Sequence, residues 1–417
     1  MKHVQLSALA AAVALSISLV PVASASSITD DATASLQLRN FYFNRDFRDP
    51  GAAGTPSKAE EWAQGFLFRG QTGYTHGTQG FGIDVLAAYG LKLDSADERA
   101  GTGLLANRAP TAGRPGSEGR SGYGFFLPTA KLKLSQSELR LGGLIPTIPI
   151  AQASDIRLLP QTYTGGALAV NEIENLNLQA GQLREVNYFN SSNREDIGAT
   201  VGGSSDRFNY LGGAYKFNAN NTTFGLWRGE LEDVYGQTLV NLIHSQPVGD
   251  WRLGANLAWF DTRDDGSQPL NIDHKMKSLM LSAATGAHTF RLGWQHSDGD
   301  TAFPYLTQNN PYIANYVQIL DFARPDEKSW QARYDSDVAT LGVPGLRAFT
   351  RYVRGSNIDM AAVNPAWSGT GKEWERDIDI TYTIQTGALR NLSVQWRNAM
   401  VRSDAIRDID ENRLILA

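Results

Sequence analysis

The chain has 417 residues with no cysteine, 41 glycines, 9 Trp, 15 Tyr and 17 Phe, and only 19% of it is charged, against about 25% in an ordinary soluble domain. A formal charge of −5 offers no basic excess for a nucleic-acid partner. The lack of cysteine removes thiolate metal sites, thiol nucleophiles and iron–sulfur clusters, and leaves carboxylate or histidine chemistry for any metal.

Lys2 and His3 precede an apolar run from Leu6 to Val22 that ends in Ala23-Ser24-Ala25, the small-x-small form read by signal peptidase. This predicts a secretory signal over 1–25 and a mature domain over 26–417, with an N-terminal anchor as the alternative. No later stretch approaches the ~20 apolar residues of a spanning helix, so the mature chain is either soluble outside the cytoplasm or a transmembrane β-barrel.

Period two then recurs along the chain. The first strand puts Arg39, Phe41, Phe43 and Arg45 on one parity and Leu38, Asn40 and Tyr42 on the other. The two arginines share a face about 20 Å apart by strand rise, and the cost of a charge in lipid makes that face the lumen. Arg69, between Phe68 and Gly70, follows by the same argument. From Gly80 to Leu93 the residues Phe81, Ile83, Val85, Tyr89 and Leu91 alternate with Gly82, Asp84, Ala88 and Gly90. Further alternating sets run from Trp251 to Trp259, from Phe290 to Trp294 and from Trp374 to Ile384. Arg291, Arg351 and Arg397 fall on their polar parity or between apolar neighbours, and Arg413 lies in the last strand, where it is expected beside Arg39.

Short turn signals at Pro247-Val248-Gly249-Asp250, Thr285-Gly286-Ala287 and Gln385-Thr386-Gly387-Ala388 face longer polar connections, so one rim is tight and the other loopy. A large soluble β-sandwich or propeller is the competing architecture. The polar parity is rich in Gly, Ser, Thr, Asn and Gln, which suits a hydrated bore. About 390 mature residues at roughly 20 to 24 per strand and connection give about 16 to 18 strands. The chain stops at Leu414-Ile415-Leu416-Ala417 rather than on an aromatic residue, so the last strand is expected to be truncated. The segment 146–182 carries Pro146, Pro149, Pro160 and Gly165-Gly166 among apolar residues; it is too apolar to extend into water and is expected to fold into the barrel.

Several stretches resemble the OprD family of substrate-specific outer-membrane porins. They are Leu38-Arg39-Asn40-Phe41-Tyr42-Phe43-Asn44-Arg45-Asp46, Glu61-Trp62-Ala63-Gln64-Gly65-Phe66, Arg157-Leu158-Leu159-Pro160-Gln161-Thr162, Gly229-Glu230-Leu231-Glu232-Asp233-Val234-Tyr235, Lys328-Ser329-Trp330-Gln331-Ala332-Arg333-Tyr334-Asp335 and Glu411-Asn412-Arg413-Leu414. They follow in family order across the mature chain. The resemblance implies an all-β, antiparallel transmembrane barrel of about 18 strands, narrowed by inward-folded constriction loops, with a ladder of arginines and passive uptake of small carboxylates. It places the constriction loop in 146–182, where Arg157 and Tyr163 would line the narrowest part. A second lumen loop is expected over 301–324, with Tyr305, Asn309, Tyr312, Tyr316 and Asp321 supplying hydrogen bonds or a facing negative charge.

Arginine suits anion selection because its planar fork binds a carboxylate through two parallel hydrogen bonds and stays charged at any relevant pH. The stretches Asn40 to Arg48 and Ile156 to Gly166 resemble the family's aromatic-acid channels, which implies solutes of the benzoate type; basic amino acids and small peptides are the alternative within the family. An outer-membrane hydrolase using one of His76, His244, His274, His288 or His296 is the alternative from another class, without a G-x-S-x-G motif to support it. A nonspecific porin is the third. Asp261, Asp264 and Asp265, or Glu230, Glu232 and Asp233, lack the regular ligand spacing of a calcium loop, so neither metal nor cofactor is expected. The expected partners are outer-membrane lipid and lipopolysaccharide around a monomeric pore, with a loose trimer as the alternative. Exchanging Arg397 and Arg413 together for Gln is expected to reduce carboxylate uptake in vesicles while leaving the barrel assembled; unchanged uptake by the folded double variant would remove the ladder from the mechanism.

Overall fold

The computed structural model describes residues 27–49, 51, 55–106, 118–266 and 270–417; the signal expected over 1–25 lies outside them. Eighteen strands form one sheet: β1 Thr33–Phe47, β2 Lys58–Gln71, β3 Gln79–Asp94, β4 Gly122–Leu134, β5 Ser137–Leu144, β6 Thr162–Val170, β7 Leu176–Asn187, β8 Phe208–Phe217, β9 Thr222–Leu231, β10 Tyr235–Val248, β11 Trp251–Asp264, β12 Asp273–Thr285, β13 His288–Asp298, β14 Lys328–Asp337, β15 Leu346–Asp359, β16 Thr370–Thr383, β17 Ser393–Ser403 and β18 Ile409–Leu416. Each pairs antiparallel with its chain neighbour, and β18 returns to β1, with Asn40 opposite Leu416 and Phe47 opposite Ile409. The sheet is therefore a closed barrel without an edge, the arrangement that satisfies every strand amide inside hydrocarbon. The last strand is shorter than β1, yet it closes the ring on both sides.

Alternation sets the two faces as the sequence predicts. Phe81, Ile83, Phe126, Leu211 and Leu292 point outward and are 55–63% exposed, while Asp84, Leu86, Ala88 and Gly90 on the opposite parity are buried. Turns on one rim are as short as 135–136, 249–250 and 286–287; the other rim carries 95–121, 145–161, 188–207 and 299–327. The turn expected at 385–388 is part of a longer connection, 384–392, closed by Asn391 donating to the Ile384 carbonyl.

The hydrated bore that the polar parity suggests is filled on one side by the long loops, in part as the apolar segment 146–182 predicts. Along β6 to β12 the inward parity is buried: Phe208, Trp227, Tyr235, Leu239, Phe260 and Met276 pack against Ile148, Ile150, Phe303 and Leu306 of the long loops, and Gln237, Asn241, Thr262, His274 and Ser278 are buried on the same parity. A barrel of this circumference encloses more space than wall side chains can fill, and the loops fill one side of it. The inward charged residues collect on the other side, from β13 round through β1 to β5, where Asp84 binds Lys131 and Arg140. Leu292→Arg would place a guanidinium on the lipid-facing parity in the middle of β13 and is expected to lower unfolding free energy by about 2–4 kcal/mol, read by urea titration in phospholipid vesicles; an unmoved midpoint would reverse the assignment of the faces.

Candidate functional site

Two long loops are pinned across the lumen by groups on the wall. Arg39 sends Nη1 and Nη2 to the two carboxylate oxygens of Asp155 at 2.7 and 3.1 Å, and Nη1 also donates to the Arg157 carbonyl at 2.7 Å. Beside this latch Leu158 and Leu159 pack against Phe41, Ala63 and Leu67. The loop 299–327 is held by Glu375, which accepts the Ile319 and Leu320 amides at 2.9 and 2.8 Å, and by Gln295, which donates to the Asp321 and Phe322 carbonyls. Its Val317, Leu320 and Phe322 pack on Val353, Val401 and Ile409. Gln161 joins the loops to each other, its Nε2 donating to the Thr307 carbonyl at 2.8 Å, and beside it Tyr163 of β6 donates its hydroxyl to Asn309 Oδ1 at 2.5 Å.

The two loops leave a cationic, aromatic-walled passage. The Phe43 ring has three guanidiniums around it, Arg413 at 4.7 Å from its centroid, Arg157 at 5.3 Å and Arg45 at 5.5 Å. Arg157 also lies 5.4 Å from the Phe189 ring. Its Nε and Nη1 donate only to the Thr102 and Ile156 carbonyls at 3.3 Å, and among the described residues no carboxylate lies within ion-pair distance of it. Carbonyls and ring faces hold the guanidinium in place without cancelling its charge. Across the passage stand half-buried Tyr305, Tyr316 and Asp321. Tyr305 donates to Asp321 Oδ2 at 3.0 Å, and burial together with the Asp321 charge keeps that hydroxyl protonated, well above its ordinary pKa. Burial also raises the Tyr316 hydroxyl, against the pull of Arg157, Arg413 and Arg397, so all three guanidiniums act on one neutral donor.

The arginine ladder exists, but carboxylates interleave with it. Arg397 lies directly opposite Arg413 across β17 and β18, and Arg291, Arg333 and Arg351 stand opposite one another across β13, β14 and β15. Cations stacked on adjacent strands repel, and each has an acid within reach. Arg351 binds Asp377 at 2.5 Å, Arg397 binds Asp379 at 3.0 Å and Arg413 binds Glu411 at 2.6 Å. Arg45 shares Glu411, with Nη2 at 2.6 Å from its second oxygen. Arg291 and Arg333 share Asp335.

Four of the sequence expectations change. Arg413 faces Phe43 rather than Arg39, because the closing register sets Asn40 against Leu416 and leaves Arg39 below the last rung. Arg39 faces inward but is 8% exposed with its fork filled by Asp155, so it positions the loop. Tyr163, on β6 and at 1% exposure, is sealed under the loop 299–327 and does not line the opening. Arg69 is at the inner end of β2 and donates to Gln37 at 3.2 Å, away from the narrow part.

Arg333, Phe43, Phe349, Asp335, Asp379 and Glu411 were not singled out from sequence. Ser329, Gln331, Arg333 and Asp335 alternate with Trp330, Ala332 and Tyr334, so Arg333 was legible by the same parity argument. Phe349 was hidden as one more apolar residue; it lies 4.0 Å from the Arg333 guanidinium and 5.5 Å from that of Arg351. It lines a cavity of about 440 Å³ at the short-turn end of the bore, with Asp335, Arg347, Asp379, Thr381 and Gln395.

A closed, outwardly apolar barrel with a charged internal narrowing is a transmembrane channel of the outer membrane. The sequence profile described as outer membrane porin, OprD family, matches residues 27–417, and the chain belongs to that family of substrate-specific outer-membrane channels. It is 38% identical over 410 residues to porin-like protein GalP of Pseudomonas putida, covering 97% of this chain and 95% of that one. The crystal structure of Pseudomonas aeruginosa OpdK with vanillate superimposes with a TM-score of 0.85 at 41% identity, covering 93% of this chain and 98% of the other. A BenF-like porin from Pseudomonas fluorescens Pf-5 gives a TM-score of 0.88 at 41% identity with the same coverage. The family consists of channels, not enzymes. Asp155→Asn, which leaves Arg39 without its anionic partner, is expected to weaken the anchoring of 145–161 by about 1 kcal/mol, the half-exposed carboxylate being partly screened; single-channel recordings should show more open-state flicker, and unchanged noise would assign the anchoring to the backbone contacts alone.

Proposed function

We propose that this channel takes up small carboxylates, with aromatic monocarboxylates of the benzoate type preferred, by passive diffusion past Arg157. The observation that carries the reading is the trio of guanidiniums around the Phe43 ring, of which Arg157 alone has no carboxylate of its own among the described residues. A carboxylate reaching this point gives up hydration and needs fixed donors in return. The Arg157 fork supplies them in bidentate form, and Arg45 and Arg413, already shared with Glu411, hold the local potential positive without binding the solute tightly. Such partial neutralisation suits conduction, which requires a site strong enough to admit and weak enough to release.

The aromatic preference rests on the rings that flank the guanidiniums: Phe43 and Phe189 beside Arg157 give a planar solute a face to lie against. Tyr305, Tyr316 and Asp321 on the opposite side complete a transverse field that turns a dipolar solute carboxylate-first toward the wall. Likeness to a channel crystallised with vanillate and to a BenF-like porin supports the same class. Arg39, Arg69, Arg291, Arg351, Arg397 and Arg413 are read as loop anchor, inner-rim contact and ladder respectively, and Tyr163 as an internal tie.

The test is a panel of radiolabelled benzoate, an aliphatic monocarboxylate and arginine in reconstituted vesicles. Arg157→Gln is expected to slow benzoate uptake about tenfold, the value of one lost charge-assisted contact, and to leave arginine uptake unchanged. Faster transport of arginine than of benzoate by the unaltered channel would overturn the reading in favour of basic solutes.

A further inference from the structure

We propose that the outer face of β12 to β16 carries a binding site for the phosphate groups of lipopolysaccharide, independent of what passes through the bore. In barrels of this type the long connections lie outside the cell and the short turns in the periplasm, so the upper ends of these strands meet the outer leaflet. There the lipid-facing parity carries an aromatic row, Trp294, Trp330, Tyr352 and Trp374, with ring centroids 5.7 Å apart for Trp330 and Tyr352 and 5.8 Å for Tyr352 and Trp374. Such a row marks the boundary between hydrocarbon and headgroups.

Cations stand at that boundary and immediately above it. Lys275, Lys328, Arg354, Lys372 and Arg376 share the outward parity, and none of them has an ion-pair partner among the described residues. Their neighbours are matched: Lys277 binds Asp298 at 2.9 Å and Arg402 binds Asp410 at 2.8 Å. Farther round the rim Arg184 and Arg263 also have carboxylates, Asp206 and Asp273, each at 2.9 Å. Of the acids near the group, Asp404 accepts the Lys372 amide at 3.0 Å, Asp298 stands opposite Lys275 but binds Lys277, and Asp326 precedes Lys328 by two residues without forming an ion pair with it among the described residues.

The register arranges three of these cations around one point. Ser356 of β15 lies directly opposite Lys328 of β14 on one side and Lys372 of β16 on the other, so the two lysines are separated by two strand spacings, about 10 Å. Arg354 is two residues below Ser356, between Trp330 and Trp374. Ser356, Lys328, Arg354 and Lys372 are all exposed. Three unpaired cations and a hydroxyl converge over an aromatic sill, which is the chemistry of a phosphate carried on an amphiphile: anionic oxygens meet the cations, and the sugar and acyl chains meet the rings. A soluble anion would have no use for the sill.

The experiment is native mass spectrometry of the full-length channel in detergent, titrated in parallel with diphosphoryl lipid A, dephosphorylated lipid A and inorganic phosphate. The unaltered protein is expected to retain the diphosphoryl form, and Lys328→Gln/Arg354→Gln/Lys372→Gln to lose at least about tenfold in that affinity, each surface cation near an anionic leaflet contributing several-fold. Arg228→Gln, on another part of the outer wall, should bind as the parent does, and single-channel conductance should be the same in all, showing intact barrels. If the triple variant fails to assemble, Arg354→Gln alone is read instead, with about a threefold loss expected. Equal retention by the triple variant, equal binding of dephosphorylated lipid A, or saturation by inorganic phosphate at lipid-like concentrations would each overturn the assignment.

Discussion

Everything in this molecule follows from the requirement that a chain crossing hydrocarbon leave no backbone amide unpaired. Strands can meet that requirement only as a ring, and here the ring depends on the junction of β1 with β18. The same junction decides the interior. By placing Phe43 against Arg413 and Arg45 against Glu411, it brings the guanidiniums of the first and last strands of the sequence around one ring. A shift of one residue would turn the guanidiniums into lipid.

Inside the ring, charge is arranged by compensation. Arginines on adjacent strands would repel if they stood alone, and Asp335, Asp377, Asp379 and Glu411 separate them. The wall is thus a lattice of alternating sign whose local excess, not its gross count of arginines, sets the potential a solute meets. That excess is concentrated where Arg157 enters from a loop rather than from the wall, held by carbonyls and aromatic faces that leave its charge intact.

The fold was legible because period two is a local property. Phe81 to Leu91 or Trp251 to Trp259 reveal their two faces without reference to any other strand, and the resemblance supplied the strand count. Arg39 and Arg45 were placed correctly on the lumen face for the same reason. What depended on partners distant in sequence was not legible. The Arg39–Asp155 latch joins residues 116 positions apart, and no pattern in either segment signals it. The loss of Tyr163 from the pore lining has the same origin, since this β6 residue is covered by a loop 146 positions away that carries Asn309. Phe43 and Phe349 were visible as aromatics, but an inward aromatic in a polar bore has meaning only once the guanidiniums beside it are known.

The packing of loops along β6 to β12 makes the bore eccentric. The loops occupy lumen that the number of staves would otherwise leave open, so loop side chains and not strand count bound what remains. Aperture and membrane fit are thereby uncoupled. Loop side chains such as Tyr316 and Arg157 can change without touching the lipid-facing surface, and insertion into the bilayer then stays as it was.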